Sequence, residues 1–291
     1  MRTKKILILL ALLPVLMISF SSPAQETGLL SAMTWNIRLD TDSDGECAWR
    51  FRKDGLAAEI MRQQPDVLGV QEALYNQMKF LRKKLKGFKS IGVGRDDGKN
   101  GGEFSAVFYN SSVVKPIRSG TFWLSETPDI AGSRGWDAAC NRVVTWAEFE
   151  VKSSKKRFIF MNTHFDHQGD TARIESAALL IRKAAELSNN NLPVVVAGDF
   201  NVTAQHRAYR ILTYADNEIV LSDSRKRNGV LLSGPDFTFT GFDRSFVPDR
   251  IIDYLFTTWD VEVISNNITD FRDQWPYLSD HLPVTIQFKI N

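Results

Sequence analysis

Gly198-Asp199-Phe200-Asn201 sets a carboxylate and an amide two residues apart, immediately after the apolar, β-branched run Leu192–Ala197. Such a run reads as a buried strand, and a strand end is a rigid support that delivers side chains into a cleft. Asp offers two anionic oxygens, and Asn offers one carbonyl oxygen and two N–H donors. The pair suits a hard cation such as Mg²⁺ or a water held for attack, although Asp and Asn also end strands as ordinary turn residues. The placement recurs. Asn36 falls at the end of the strand that carries Thr34-Trp35-Asn36-Ile37-Arg38, Glu72 closes Asp66–Glu72, His164 closes Lys156–His164, and Asp280-His281 directly precede the last apolar stretch. Asp253 lies inside Arg250–Phe256, where an uncompensated carboxylate would be costly. Singly, these residues also read as turn residues, helix-cap neighbours or a satisfied core histidine. Together at strand ends they are an improbable coincidence, and neighbouring strands would bring them to one rim.

The elements that must position these groups are strands with helices between some of them. Strands are read at 29–39, 66–72, 88–94, 103–109, 113–124, 142–151, 156–164, 192–199, 237–240, 251–257, 261–268 and 284–290. Helices are read at 53–64, stopped by Pro65, at 75–85, and at 204–213. A further helix starts at a cap on Asp170 or Thr171 and carries the stripe Ile174, Ala177, Ala178, Ile181 and Ala185. The irregular stretch 125–141 holds Arg134, Trp136 and Cys140, and long loops in compact domains are often functional. The class is α+β or α/β, a mostly antiparallel, sandwich-like sheet core with helices outside.

The chain has 291 residues, 43% of them hydrophobic, and no Gly/Ser- or Pro-rich divider, so one domain is expected. Arg2, Lys4 and Lys5 precede an apolar run from Ile6 to Phe20 and then Ser21-Ser22-Pro23-Ala24. That is the pattern of a signal peptide cut near Ala24, and the run is shorter than the ~20 residues a membrane span needs. The expected division is 1–24 for the signal and 25–291 for the domain. Losing the three basic residues turns a formal charge of +2 into −1, which leaves no broad basic face for non-specific nucleic-acid binding. Cys47 and Cys140 allow either a disulfide or two separate thiols, and neither has a zinc partner at ligand spacing.

T-W-N-I-R, Q-E, N-T-H-F-D-H, G-D-F-N, I-D-Y-L-F and S-D-H, in this order and at this spacing, closely resemble the endonuclease/exonuclease/phosphatase superfamily across essentially the whole mature chain. The stretches G-V-G-R-D-D-G-K and S-G-T-F-W-L-S-E-T-P look like a bacterial, often exported, subgroup. The resemblance implies a four-layer α/β/β/α sandwich, two mixed, mostly antiparallel sheets face to face with helices outside. It implies Mg²⁺-dependent cleavage of a phosphoester bond by in-line attack of an activated water, with Mn²⁺ as a substitute. Carried over by motif, Asn36, Glu72 and Asp280 look like the metal site, and oxygen ligands favour Mg²⁺ or Mn²⁺ over zinc. Asp199 and Asn201 resemble the pair that positions the water and holds the phosphoryl group. His281 resembles the histidine that contacts the phosphate or acts as acid/base, with Asp253 orienting it. His164 matches the second histidine, across the phosphate, with Glu103 as its carboxylate partner. One residue departs from the pattern: abasic-site endonucleases carry an acidic residue two positions after the strand Asn, and this chain carries Arg38.

The substrate is set by loops, and the candidate binding residues are Arg95, Arg134, Trp136 and Arg142. A nucleic acid would need basic or aromatic groups flanking the site. A phospholipid would need an exposed apolar hairpin, and no obvious one is seen. A small phosphorylated metabolite, such as a phosphoinositide or sugar phosphate, is the third class. A catalytically silent binding protein on this fold would be expected to lack Glu72, Asp199, Asp253 or His281, and all are present. Asp166 and His167 read equally as substrate or structural residues. Asn201-Val202-Thr203 is a glycosylation sequon that would block the site, which favours the periplasm of a bacterium over a eukaryotic secretory route. A monomer with no stable protein partner is expected.

Overall fold

A computed structural model describes residues 28–291 apart from 190, 244 and 246–248. The expected signal segment, 1–24, lies outside the described residues. Strands are numbered in chain order. The first sheet contains β1 (Leu30–Asn36), β2 (Val67–Ala73), β3 (Phe88–Ile91), β4 (Phe104–Asn110), β10 (Leu231–Ser233), β12 (Val261–Ile268) and β13 (Val284–Ile290), in the order β10-β12-β13-β1-β2-β4-β3. The second contains β5 (Val114–Trp123), β6 (Val143–Val151), β7 (Arg157–His164), β8 (Val194–Asp199), β9 (Ser222–Asp223) and β11 (Asp253–Thr257), in the order β5-β6-β7-β8-β11-β9. The β1–β2, β7–β8 and β10–β12 pairs are parallel and the others antiparallel. The sheets are therefore mixed and mostly antiparallel.

Strand alternation explains both the layering and the site. Val195 and Ala197 of β8 belong to the core between the sheets, whereas Val194 and Val196 pack under helix α3 (Asp170–Ser188). Phe158 and Phe160 of β7 likewise face inward, and Ile159 and Met161 outward. Side chains alternate faces with a period of two. Asp199, His164 and Asp253 therefore point the same way as the apolar core of their strands, and the site is the polar end of that core. Helices α1 (Trp49–Gln63) and α2 (Tyr75–Lys84) supply Leu56, Ile60, Met78 and Leu81 to the cluster that includes the first sheet. Together with α3 and α4 (Arg207–Leu212) on the other side, this makes the four-layer α/β/β/α sandwich.

A buried polar layer separates the apolar core from the site. Gln71 Nε2 donates to Thr34 Oγ1 (2.9 Å) and Asn162 Oδ1 (2.6 Å), and Asn162 Nδ2 donates to the carbonyls of Val70 (3.0 Å) and Ala106 (2.9 Å). All three side chains are fully buried, and their mutual bonds tie β1 and β2 to β7 across the sandwich.

Several elements differ from the sequence reading. Helix α1 begins four residues earlier than expected and ends on Gln64 in the left-handed conformation before Pro65. Residues 237–240 form no strand and make only a bridge from Phe239 to His281. Neither Asp170 nor Thr171 caps α3. The cap residue is Gly169, and the free amides of Thr171 and Ala172 donate to Asp137 of the 125–141 loop (3.2 and 2.6 Å). Cys47 and Cys140 are both free thiols. Among the described residues no helix is long and apolar enough to cross a membrane.

Candidate active site

Asp199 ends β8 and is almost fully buried. Its Oδ2 accepts from Asn36 Nδ2 (2.9 Å) and its Oδ1 from the Asn201 amide (2.9 Å). The same Oδ2 lies 3.4 Å from His164 Nε2 and 3.7 Å from His281 Nε2. Burial pushes the Asp199 carboxyl up to about 7, reinforced by the Asp253 charge and opposed by His281.

The two histidines on either side of Asp199 carry opposite protonation. His281 Nδ1 is 2.9 Å from Asp253 Oδ2, and both residues are buried. Burial alone would lower His281, but the charges of Asp253 and Asp199 and the hydrogen bond to Asp253 raise it well above the usual range. His164 has the reverse balance. Burial lowers it well below the usual range, and Arg142 and Arg95 lower it further. Asn201 Nδ2 donates to His164 Nε2 (3.0 Å), which places the neutral imidazole's proton on Nδ1. That Nδ1 is buried without a hydrogen-bond partner, and Glu103 Oε2 is 4.0 Å away. The carboxylate of Glu103 is bonded instead to Arg95 NH1 at 2.7 Å, so the expected Glu103–His164 pair is a looser contact than the Glu103–Arg95 pair.

Three residues of the site adopt left-handed backbone: Arg38 (φ 55°), Glu72 (φ 62°) and Asn201 (φ 51°). For Arg and Glu this conformation costs about 1–2 kcal/mol each. At Glu72 the cost has a visible use. The register of β2 against β4 shifts between Val70 and Ala73, and the irregularity lets Gln71 point into the sandwich while Glu72 reaches the cleft. Glu72 Oε1 accepts from Asn36 Nδ2 (2.9 Å) and Oε2 from the Leu39 amide (3.0 Å). The amide of Asn36 thus bridges Glu72 and Asp199, while its carbonyl oxygen accepts from the Arg38 amide (3.0 Å).

Asp280 enters from the loop before β13. Ser279 Oγ donates to the Asn36 carbonyl (2.6 Å), Trp35 Nε1 to the His281 carbonyl (2.9 Å) and Thr240 Oγ1 to the Asp280 carbonyl (2.9 Å). Burial, then the charge of Glu72, hold the Asp280 carboxyl above its ordinary value despite His281 and Arg38. Beneath this loop Arg52, 1% exposed, donates to the carbonyls of Cys47, Ile37, Leu278, Arg38 and Leu39. It staples the end of β1 to the Asp280 loop.

These groups open onto a cavity of about 500 Å³. Of the expected site residues, Glu72, Arg95, Glu103, Arg142, His164, Asp199, Asn201, Asp280 and His281 line it. Asn36 and Asp253 stand behind it, holding Asp199 and His281. Arg134 and Trp136 do not line it. Arg134 is exposed on its loop, and Trp136 packs on the apolar cluster around α3, because that loop is drawn over the helix by Asp137. Asp166 is structural. It accepts from the amides of Ala139, Cys140, Gln168 and Gly169 and faces Arg142 Nε at 3.4 Å. Sequence reasoning gave no role to Arg250, Phe239 and Cys140, which line the cavity, or to Arg52 beneath it. Phe239 had the signal of an aromatic in a short apolar stretch, but its contact with His281 is set by the chain's path (ring centroids 5.0 Å apart).

Among the described residues, two groups bring three ligand atoms within 4.8 Å of one another: Asp199, Asp253 and His281, and Cys140, Asp166 and His167. In the second, the oxygens of Asp166 are consumed by backbone amides and Arg142, so it does not fit a metal. In the first, His281 Nδ1 is committed to Asp253. Glu72 and Asp280 fit a hard cation better. They are two largely buried carboxylates on either side of one guanidinium, which approaches each only to 3.9 and 4.0 Å.

The family described as endonuclease/exonuclease/phosphatase matches residues 33–281, a span that runs from β1 to His281. The chain belongs to that family. An endonuclease/exonuclease/phosphatase of Bacteroides vulgatus superposes with a TM-score of 0.85 at 41% identity, covering 90% of this chain and 99% of the other. A mannosyl-6-phosphatase of Bacteroides thetaiotaomicron superposes with a TM-score of 0.82 at 34% identity, covering 89% and 99%. The human nocturnin catalytic domain, at 19% identity and a TM-score of 0.71, shares the fold over 91% of this chain and 94% of its own. By sequence, the uncharacterized protein L388 of Acanthamoeba polyphaga mimivirus is 30% identical over 203 residues, 62% of this chain and 65% of its own length. The chain thus spans less than two thirds of that relative. The family and its neighbours support a phosphoester hydrolase.

Proposed function

We propose that this chain is an exported, divalent-metal-dependent phosphomonoesterase that acts on a small phosphorylated metabolite, with a sugar phosphate as the leading class. The observation that carries the reading is the cavity itself. It gathers Arg95, Arg142 and Arg250 around His164, Asp199, Asn201 and His281, and the one aromatic among its described lining residues, Phe239, packs against His281. A strand of nucleic acid would call for a basic track and free aromatic faces. The likeness to a mannosyl-6-phosphatase supports the same class. The basic and apolar start of the chain supports export.

Glu72 and Asp280 would hold the metal, which when bound would offset negative charge on the phosphoryl oxygens. Asp199, fixed by Asn36 and the Asn201 amide, is placed to accept a proton from the attacking water. His281, kept cationic by Asp253, donates to a phosphoryl oxygen from one side. His164 lines the cavity on the other side of Asp199, where its Nε2, held by Asn201, helps to fix the Asp199–Asn201 corner.

The test is a panel assay of the mature protein, with Mg²⁺ and with chelator, on hexose 6-phosphates, p-nitrophenyl phosphate, bis-p-nitrophenyl phosphate, single- and double-stranded nucleic acid and sphingomyelin. Metal-dependent turnover of the monoesters, well above that of the diesters, is expected. Preferential cleavage of nucleic acid or lipid would overturn the substrate class. No metal-dependent turnover of any phosphoester would overturn the enzyme reading.

A further inference from the structure

Arg38 is fixed beside the two carboxylates that would hold the metal. Its NH1 is 3.9 Å from Glu72 Oε2 and its Nε is 4.0 Å from Asp280 Oδ2. Neither distance is a hydrogen bond, so the guanidinium neutralises the pair without consuming the lone pairs of either carboxylate. The hydrogen bonds of Arg38 go elsewhere. Its Nε and NH2 form a two-point fork with Asp44, at 3.0 and 2.8 Å, and the Asp44 side chain is only 6% exposed. The backbone is held as firmly. The Arg38 amide donates to Asn36 Oδ1, and its carbonyl accepts from Arg52 NH2 (2.8 Å) and Gln77 Nε2 (2.9 Å). Residue 38 also keeps a left-handed backbone that a non-glycine residue adopts at a cost. A side chain clamped at both ends is a built part of the centre rather than a loose surface cation.

We propose that Arg38 is a resident cation of the Glu72–Asp280 pair: it occupies the flank from which a second metal ion would need a further carboxylate, so the centre takes one divalent ion and holds it loosely. The inference rests on the metal-dependent reading above. Its physical basis is repulsion between a fixed positive charge and an incoming dication that share the same two carboxylates. At partly screened separations of several ångströms this repulsion is worth about a tenfold change in affinity or more. The same charge lets the two carboxylates coexist when no ion is bound, so the metal contributes less to folding stability than it would without the arginine.

The experiment measures Mn²⁺ binding directly, by calorimetry and by the free-ion electron paramagnetic resonance signal, together with the melting temperature with and without Mn²⁺. The proteins are the wild type, Arg38→Gln, Arg38→Met (which keeps the aliphatic stem) and Glu72→Gln. One ion per chain is expected in the wild type. About tenfold tighter binding and a larger metal-induced rise in melting temperature are expected in whichever Arg38 variant folds, and loss of binding in Glu72→Gln. Unchanged or weaker affinity in both Arg38 variants, or two ions in the wild type, overturns the proposal alone. Failure of both variants to fold even in Mn²⁺ overturns it too, because the role would then be structural. No binding in any protein overturns it together with the metal-dependent reading of the function.

Discussion

His281 and Asp253 meet across the top of the sandwich, Nδ1 to Oδ2 at 2.9 Å, with Asp253 on a strand of the second sheet and His281 on the loop that enters the first. One hydrogen bond therefore fixes the imidazole, keeps it protonated and joins the two sheets at the site. Asp253 also raises the Asp199 carboxyl, so a single buried charge sets two proton affinities.

Replacing that charge should move the whole pH profile. Activity needs Asp199 ionised and His281 protonated, which makes a bell. Asp253 raises both groups, so Asp253→Asn lowers both, and both limbs of kcat/KM shift to lower pH. The maximum should also fall by about a hundredfold, because an Asn at 253 stabilises the imidazolium poorly. A pH–rate series on p-nitrophenyl phosphate checks this. Limbs moving in opposite directions would show that Asp253 does not govern the pair.

Arg142 should discriminate among leaving groups. It is 5% exposed, its NH2 lies 3.0 Å from His167 Nδ1, and its NH1 is buried without a partner. An unpaired guanidinium nitrogen at a cavity wall is satisfied by an oxygen acceptor on the substrate. Arg142→Lys should cost about 1.5–3 kcal/mol, or ten- to a hundredfold, in kcat/KM for a hexose 6-phosphate. The loss on p-nitrophenyl phosphate, whose leaving group lacks those acceptors, should be several-fold smaller. Equal losses on both substrates would assign Arg142 to the phosphoryl group.

Asp166 should matter for stability rather than chemistry. Burial pushes its carboxyl up, but the amides of Gly169, Gln168 and Ala139 and the charge of Arg142 outweigh burial and hold it well below the usual range. A depressed carboxylate contributes stability above its unfolded value near 4 and loses it as pH falls further. Asp166→Asn should therefore destabilise the fold by about 3 kcal/mol at pH 7, because Arg142 loses a buried partner. The difference from wild type should shrink as the pH drops below 4. Urea melts at several pH values measure both effects.

The strand-end carboxylates, amides and imidazoles were legible in the sequence because alternation and position both mark them. Asp199 and His164 share the parity of the core residues of β8 and β7, and a period of two is written in the chain. The pairing of Glu103 with Arg95, the reach of Arg38 to Asp280 and the Arg52 staple were not legible. The last two join residues on elements that only the sheet order brings together, such as Arg52 with the Leu278 carbonyl, whereas Arg95 and Glu103 meet across the irregular 95–103 turn, where the Arg95 amide also donates to the Glu103 carbonyl. Arg134 and Trp136 misled because a loop's composition says nothing of which neighbour it packs on. Here Asp137 ties the loop to α3. The short β9 and β10 carry too few residues for any periodic signal.

The polar layer under the site leaves no room for a side chain at Gly69. A Cβ there would lie 2.4 Å from Asn162 Oδ1 and 2.6 Å from its Cγ. Asn162 has little room to move, because its Oδ1 accepts from Gln71 and its Nδ2 is shared between the Val70 and Ala106 carbonyls. Gly69→Ala should therefore cost about 1–3 kcal/mol by overpacking. It should also lower kcat, since Gln71 precedes Glu72 and Asn162 lies two residues before His164 on the same face of β7. If the clash with Asn162 is the cause, Gly69→Ala should cost almost nothing in an Asn162→Ala background, and the double-mutant cycle should be strongly non-additive. Additive losses would place the cost of Gly69→Ala in the backbone of β2 rather than in the contact between the sheets.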